Sequence, residues 1–351
     1  MNILKGSKKK NFFWILHGSQ KVNSNVVKGV MTFVFIAFIG VVSATPFVTD
    51  VTAKQRYPWN GLVDITCKVE GIDEANVDWH FVLSAVLPNS ENATKMSKFW
   101  VMRDGVKSSN LSVDTNGDYR LLWDAKVGLG EMRYTNMVVR VTIKERQRVQ
   151  LWENGPYWAT TNIGAENPED YGYYFWWGDT VGYKRENDKW VASDGSNSNF
   201  SFTESNTPTY NKSVSTLQSE GWITAEGVLA PEHDAAHAHW GGDWRMPTKQ
   251  EFDDLNSRCD WIRATLNGVN GYVVRGKGDY SSASIFLPFA GEGYGTSLDY
   301  AGLKGCCRSA VPYPDYSRSA WHFFFDLSRH YTGAKLCYYG QSVRPLQGFT
   351  K

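Results

Sequence analysis

Trp240-Gly-Gly-Asp-Trp-Arg-Met-Pro-Thr-Lys-Gln-Glu-Phe-Asp-Asp-Leu255 sets the reading of the whole chain. Gly241 and Gly242 allow backbone with positive φ and close approach to neighbours. Trp244 and Met246 are large apolar side chains that favour burial. Pro247 fixes its own φ and keeps Met246 extended. Thr248 stands three residues before Glu251, the spacing of a capping box, so a helix begins there. Phe252, Leu255 and Cys259 follow at intervals of three and four and give that helix one apolar face. The stretch therefore reads as strand or loop, turn, and short amphipathic helix docked on an aromatic core. Asp243 and Arg245 flank Trp244 and are read as a buried pair that pins the turn. Breaking such a pair costs about 3–5 kcal/mol, which accounts for the motif without any ligand. Arg344, before Pro345, is read the same way.

The chain has 351 residues, room for two domains of ordinary size. Residues 1–44 carry Lys5, Lys8, Lys9, Lys10, Lys21 and Lys28, no acidic residue, and an apolar run from Val30 to Val42. Val42 and Ala44 occupy the −3 and −1 positions of a cleavage site, so the segment is expected to be a secretory signal peptide cleaved near Ala44. The apolar run is shorter than the ~20 residues that cross a bilayer, and an uncleaved anchor is the alternative. Loss of those six lysines takes the net charge from +1 to −5. A mildly acidic surface argues against nucleic acid, which needs clustered Lys and Arg.

Five cysteines, Cys67, Cys259, Cys306, Cys307 and Cys337, are too few for a disulfide scaffold, and their odd number leaves one over. Cys259 and Cys337 are the candidate pair. No Cys-x-x-Cys is present to hold zinc. Aromatic residues reach 15%, with 15 Trp, a level that serves both aromatic cores and sugar-stacking surfaces.

Strand alternation dominates residues 46–144. Val63, Ile65, Cys67 and Val69 share one face; Val77, Trp79, Phe81 and Leu83 repeat the pattern; Tyr119, Leu121 and Trp123, then Val139, Val141 and Ile143, follow. Turn residues separate them, which predicts an immunoglobulin-like β-sandwich. Arg56-Tyr-Pro-Trp-Asn-Gly-Leu-Val-Asp64 resembles the start of a small sandwich found beside lectin-like domains in exported bacterial proteins. Trp59 is read as plugging the end of that sandwich. Lys144-Glu-Arg-Gln-Arg148 reads as a charged linker.

Residues 149–351 are rich in Gly, aromatics and loops. Expected elements are a strand at 149–151, a long polar loop over 184–212, a short helix at 213–220 and the helix of the opening motif. A turn into a strand is expected over 267–275, and strands at 284–290, 319–327, 334–339 and 342–346. Tyr157-Trp-Ala, Tyr171-Gly172 with Trp177-Gly178, Trp240 to Thr248, Asn270-Gly-Tyr272, Leu287-Pro-Phe-Ala-Gly291 and Val343-Arg-Pro345 occur in this order. This set resembles the Fibrobacter succinogenes major paralogous domain over residues 150–347. The resemblance implies a C-type-lectin-like fold, distantly similar to the formylglycine-generating sulfatase-modifying family, in an exported or surface protein of an anaerobic bacterium. It implies no particular activity. The Glu-Pro-Asn, Gln-Pro-Asp and Trp-Asn-Asp motifs of calcium-dependent lectins are missing. Adjacent Cys306 and Cys307 do not match the cysteine pair of the formylglycine-generating enzymes.

Other constellations carry little chemistry. His233, His237 and His239 lack the His-Glu-x-x-His arrangement and read as a solvated lead-in to the motif. Glu166, Glu169, Asp170 and Asp179 read as turn and cap acceptors, since paired carboxylates of a glycosidase cannot be recognised by spacing in a loop. No Gly-x-Ser-x-Gly elbow or phosphate loop is present. No metal or cofactor is expected. What remains is aromatic residues beside flexible turns: Trp176, Trp177, Tyr294, Tyr313, Tyr316 and Trp321. The expected function is non-enzymatic binding of a glycan or surface protein through the loops 166–212 and 291–318. Trp177, Asp179, Tyr294 and Trp321 are the candidate contacts. Trp240, Gly242, Trp244, Arg245, Pro247, Thr248 and Arg344 are the structural motif. The alternatives are a cryptic oxidoreductase of the formylglycine-generating type and a structural surface-layer component.

Overall fold

The computed structural model describes residues 45–57, 60–72, 78–87, 93–96, 98–108, 110–129 and 137–348. The expected signal peptide and Trp59 lie outside them. The chain is β-rich: every sheet among the described residues is antiparallel, and the helices are short.

Alternation builds the first part of the chain. Leu62–Glu70 pairs with Phe47–Gln55 on one side and Gly117–Asp124 on the other. Phe99–Arg103 and Val106–Ser108 complete a five-stranded sheet. Trp79–Val86 pairs with Val138–Glu145, Ala93–Lys95 and Ser112–Val113 in a second sheet. Ile65, Cys67 and Val69 from the first sheet and Phe81, Leu83 and Ala85 from the second share one core with Trp123. One face of each strand is apolar, so burying that face against the other sheet sets the register.

The segment 144–148 is not a solvated linker. Glu145 ends a strand, Arg148 begins Arg148–Gln150, and Arg146 between them is buried. Its guanidinium donates to Asp78 Oδ1 at 3.1 Å and Ser112 Oγ at 3.2 Å and lies 5.1 Å from the Trp240 ring. The opening motif therefore rests directly on the first part of the chain. Trp244 Nε1 donates to Asp78 Oδ2, and Ser112 Oγ donates to the Trp240 carbonyl.

Tyr157–Ala159 pairs with both Arg148–Gln150 and Leu346–Gln347, which joins the two ends of the second part. Gly241 and Gly242 have φ of +66° and +52°. The helix Lys249–Arg258 carries the expected capping box between Thr248 and Glu251. Phe252 and Leu255 pack with Trp158, Tyr272, Phe323 and Leu346. The partner of Arg245 differs from expectation. Asp243 is exposed, and Arg245 instead forms a two-pronged pair with the buried Glu251, 2.8 Å from Nη1 to Oε2. An acidic residue already fixed by the cap is the better-placed counterion. Arg344 is fully buried and donates to Asn162 Oδ1 and to the carbonyls of Ala159, Thr160 and Phe286.

Two segments read as loops have more structure. Within 184–212, Tyr183–Glu186 pairs with Lys189–Ala192, and Trp190, Phe200 and Phe202 form their own core with Tyr174. Within 291–318, Lys304–Pro312 is a mostly buried strand beside Ser319–Asp326. The strand expected over 334–339 is His330–Leu336, followed by a turn at 337–339. Asp260–Leu266, pairing with Val269–Arg275, was not expected as a strand. The histidine segment is not a solvated lead-in. Asp234 is buried and caps the helix Ala235–Trp240. Its Oδ2 accepts Met246 N–H at 2.8 Å, tying that helix to the motif. All five cysteines are free and buried, so Cys259 and Cys337 are not bonded; they belong to different cores.

A tyrosine surface beside a cavity

Two glycines create the most distinctive surface. Gly293 lies in the short strand Glu292–Tyr294, and Gly340 follows the turn after His330–Leu336. Their backbones exchange hydrogen bonds of 2.7 and 2.9 Å directly over Phe202. A Cβ on Gly293 would stand 2.6 Å from the Phe202 ring, and one on Gly340 would stand 2.4 Å from it. Only glycine permits this crossing. The crossing sets Tyr294 beside Tyr339, stacked with ring centroids 5.1 Å apart, and Tyr339 stacks on Tyr338 at the same distance. Tyr210 meets the Tyr338 edge at 5.5 Å.

The turn carrying Tyr338 and Tyr339 is fastened from below. Arg308, fully buried in Lys304–Pro312, donates through Nη2 to the carbonyls of Leu336, Cys337 and Tyr339. Glu292, 3% exposed, accepts from Lys304 Nζ and Lys335 Nζ, each at 2.8 Å. Burial pushes its carboxyl up, but the two ammonium groups together outweigh burial and hold it below the usual carboxylate range. Lys335 Nζ lies 3.8 Å from the Tyr339 ring centre, so this charge is shared between the carboxylate and the ring.

The outer rim is polar. Arg318 stands 5.8 Å from the Tyr210 ring and 5.9 Å from the Tyr316 ring. The Tyr210 hydroxyl donates to Glu204 Oε1 at 2.8 Å. Burial, then that hydrogen bond, raises Tyr210 to about 12, and burial raises Tyr339 to about 12, so both hydroxyls keep their protons at neutral pH. Tyr294 and Tyr316 remain 48% and 47% exposed. The exposed rings of Tyr294 and Tyr316 and the half-buried Tyr210 and Tyr339 thus lie on a braced surface, with Tyr338 buried among them.

A cavity of about 430 Å³ adjoins it. Thr209 and Cys337 line the cavity and immediately precede Tyr210 and Tyr338; Asp315 and Ser317 line it and bracket Tyr316. Ser317 Oγ and Arg318 Nε both donate to Asn211 Oδ1, which ties the 317–318 segment to residue 211.

The residues expected to bind do not gather at one place. Tyr294 is on the tyrosine surface. Trp177 is 0% exposed, donates to the Ser309 carbonyl at 3.0 Å and forms part of the cavity lining. Asp179 is buried in a turn and accepts Val181 N–H at 2.9 Å and Gly182 N–H at 3.1 Å. Burial pushes its carboxyl up to about 7. Trp321 alternates with His322 along Ser319–Asp326, so the two side chains take opposite faces. Trp321 packs on Tyr313 and Lys249, whereas His322 meets Gln341 beneath the tyrosines. Tyr210, Tyr338, Tyr339 and Arg318 were not expected. Tyr338-Tyr339-Gly340 carries the available signal, paired aromatics before a glycine, but it reads equally as the end of a strand.

The remaining constellations serve structure. Asp170 accepts the N–H groups of Glu166 and Asn167, and Glu169 accepts from Asn267. His233 stacks on Trp222, and the half-buried His239 ring lies 3.0 Å from the Thr180 carbonyl. Cys307 is held as a thiol by burial, pushed up to about 11, and burial raises Cys306 further. No family profile matches this chain, and no curated protein or solved structure shows significant similarity to it.

Proposed function

We propose that this is a non-enzymatic, exported or cell-surface protein that binds a glycan on the surface formed by Tyr210, Tyr294 and Tyr339, packed on the buried Tyr338. In this reading the first part of the chain is an immunoglobulin-like spacer and the second a C-type-lectin-like domain of the kind its motifs resemble. The observation carrying the proposal is the stacked Tyr294–Tyr339–Tyr338 array, braced by the glycine crossing and by Arg308 and flanked by Lys335 and Arg318. Sugar rings present C–H faces and hydroxyl edges, and tyrosines answer both with apolar faces and polar tips. Rigid aromatics lose little entropy on binding, which suits shallow recognition. The protonated Cys306 and Cys307 give the oxidoreductase alternative no thiolate to work with.

The test uses the full chain against a panel of insoluble polysaccharides, mucin and cell-wall preparations. Wild type is expected to be retained by at least one. Tyr294→Ala should weaken that binding about tenfold, the loss of roughly 1.4 kcal/mol. Tyr157→Ala, on an exposed ring of another sheet, should leave it unchanged. Retention of Tyr294→Ala at wild-type strength, or no retention of wild type by any preparation, sinks the proposal.

A further inference from the structure

We infer that the cavity between residues 209–217 and 312–319 is a subsite for the terminal, non-anionic pyranose of the bound glycan. The inference rests on the glycan reading of the tyrosine surface and goes beyond it by fixing which part of the chain is held, and where.

Four observations support it. The cavity and the surface are neighbours built on the same segments, since residues 209 and 210, 315 to 318, and 337 and 338 alternate between the two. Its base is closed: Trp177, Leu217 and Cys337 are core residues, each at most 2% exposed. A polymer threading past cannot enter such a blind recess, whereas a chain end can. The walls are amphipathic in the way a sugar is. Trp177, Leu217, Pro312 and Tyr313 supply apolar faces. Ser215 and Ser319 supply hydroxyls, and Thr209, Ser213 and Ser317, already bonded to the Trp177 carbonyl, the Thr216 N–H and Asn211 Oδ1, keep lone pairs that accept. Finally, no cation is left over for an anionic ligand. Lys212 is the cationic lining residue and is already engaged by both Glu220 oxygens at 2.7 and 2.6 Å, and Asp315 adds a negative charge. This lining disfavours a carboxylated or phosphorylated sugar. The volume of about 430 Å³ falls within the ~300–1,000 Å³ of ordinary small-molecule sites.

The test compares the full-length wild type, Ser215→Trp and Tyr294→Ala. The probes are the methyl glycosides of glucose, galactose, mannose and N-acetylglucosamine. Each is used alone in calorimetry and as a competitor against the polysaccharide that retains the wild type. Ser215 is exposed on the helix Val214–Ser219 at the cavity wall, so a tryptophan there fills the recess without entering the core. Asp315→Trp, exposed on the opposite wall, repeats the block if Ser215→Trp melts early. At least one methyl glycoside is expected to bind wild type and displace it from the polymer. The blocking variants should lose at least tenfold in affinity for that glycoside. Tyr294→Ala should bind the glycoside nearly as well as wild type while binding the polymer more weakly. If no methyl glycoside binds wild type, or if both blocked variants bind it unchanged, the terminal subsite is overturned while the tyrosine surface stands. If Tyr294→Ala holds the polymer unchanged, the surface itself is wrong. A wild type that binds no sugar in either format overturns both.

Discussion

His322 illustrates how one side chain in this protein is set by its surroundings. Gln341 Nε2 lies 3.0 Å from His322 Nδ1 and can only donate, so Nδ1 accepts and the ring carries its proton on Nε2. Burial first, and then the nearby Arg308 charge, lower the imidazole to about 3. The unfolded chain titrates near 6.5. Because the folded value is the lower one, the stabilisation is complete above about pH 6.5 and is lost as pH falls toward 3. Replacing His322 by Gln keeps an acceptor for Gln341 and removes the titration. Between pH 4.5 and 6, the slope of unfolding free energy against pH should then fall by about 1.4 kcal/mol per unit relative to wild type. Denaturant titrations at four pH values measure it. Equal slopes would mean that the folded protein takes up this proton freely. The sequence shows an aromatic strand around His322 but not its fate, because one residue of register decides between the Phe323 core and the charged side.

At the scale of elements, the opening motif holds its helix in place. Glu251 belongs both to the capping box with Thr248 and to the ion pair with Arg245, and it is buried. Arg245→Ala removes the guanidinium that pairs with that buried carboxylate, which should cost about 3 kcal/mol. The double change Arg245→Ala with Glu251→Gln removes the stranded charge and should recover part of the loss. Neither should alter glycan retention, because the motif lies apart from the tyrosines. Loss of retention by Arg245→Ala with an unchanged melting temperature would place binding in the motif instead. The helix was legible because its signals are local: a cap, a proline and a spacing of three and four. Arg245 was assigned to Asp243 because sequence proximity says nothing of which carboxylate is already immobilised. The hairpin Glu292–Tyr294 with Ser297–Asp299 went unread for a related reason. Its glycines signal a turn, yet the close approach to Gly340 depends on a residue 47 positions downstream from Gly293.

For the whole molecule, the deciding feature is the buried junction at Asp78. The strand alternation in the first part and the motif series in the second were both readable. The strength of the junction was not, since a run such as Lys144 to Arg148 looks solvated until Arg146 is seen between two cores. Asp78 accepts from Arg146 and from the Trp244 indole, while Ser112 reaches the Trp240 carbonyl. The Asp78 carboxyl is raised by its burial, with the Arg146 charge opposing. Each part nonetheless owns a separate apolar core. Asp78→Ala leaves the Arg146 guanidinium buried without its counterion, at a cost of about 3–5 kcal/mol. The cost falls on the junction and not on either core, so the expected result is loss of cooperativity. Scanning calorimetry should show wild type melting in one transition with matching calorimetric and van't Hoff enthalpies. Asp78→Ala should melt in two. Replacing both partners, Asp78→Leu with Arg146→Met, removes the stranded charge and should bring the two transitions back together. If Asp78→Ala instead melts as a single transition at lower temperature, the two cores fold as one unit and the junction is an ordinary part of its interior.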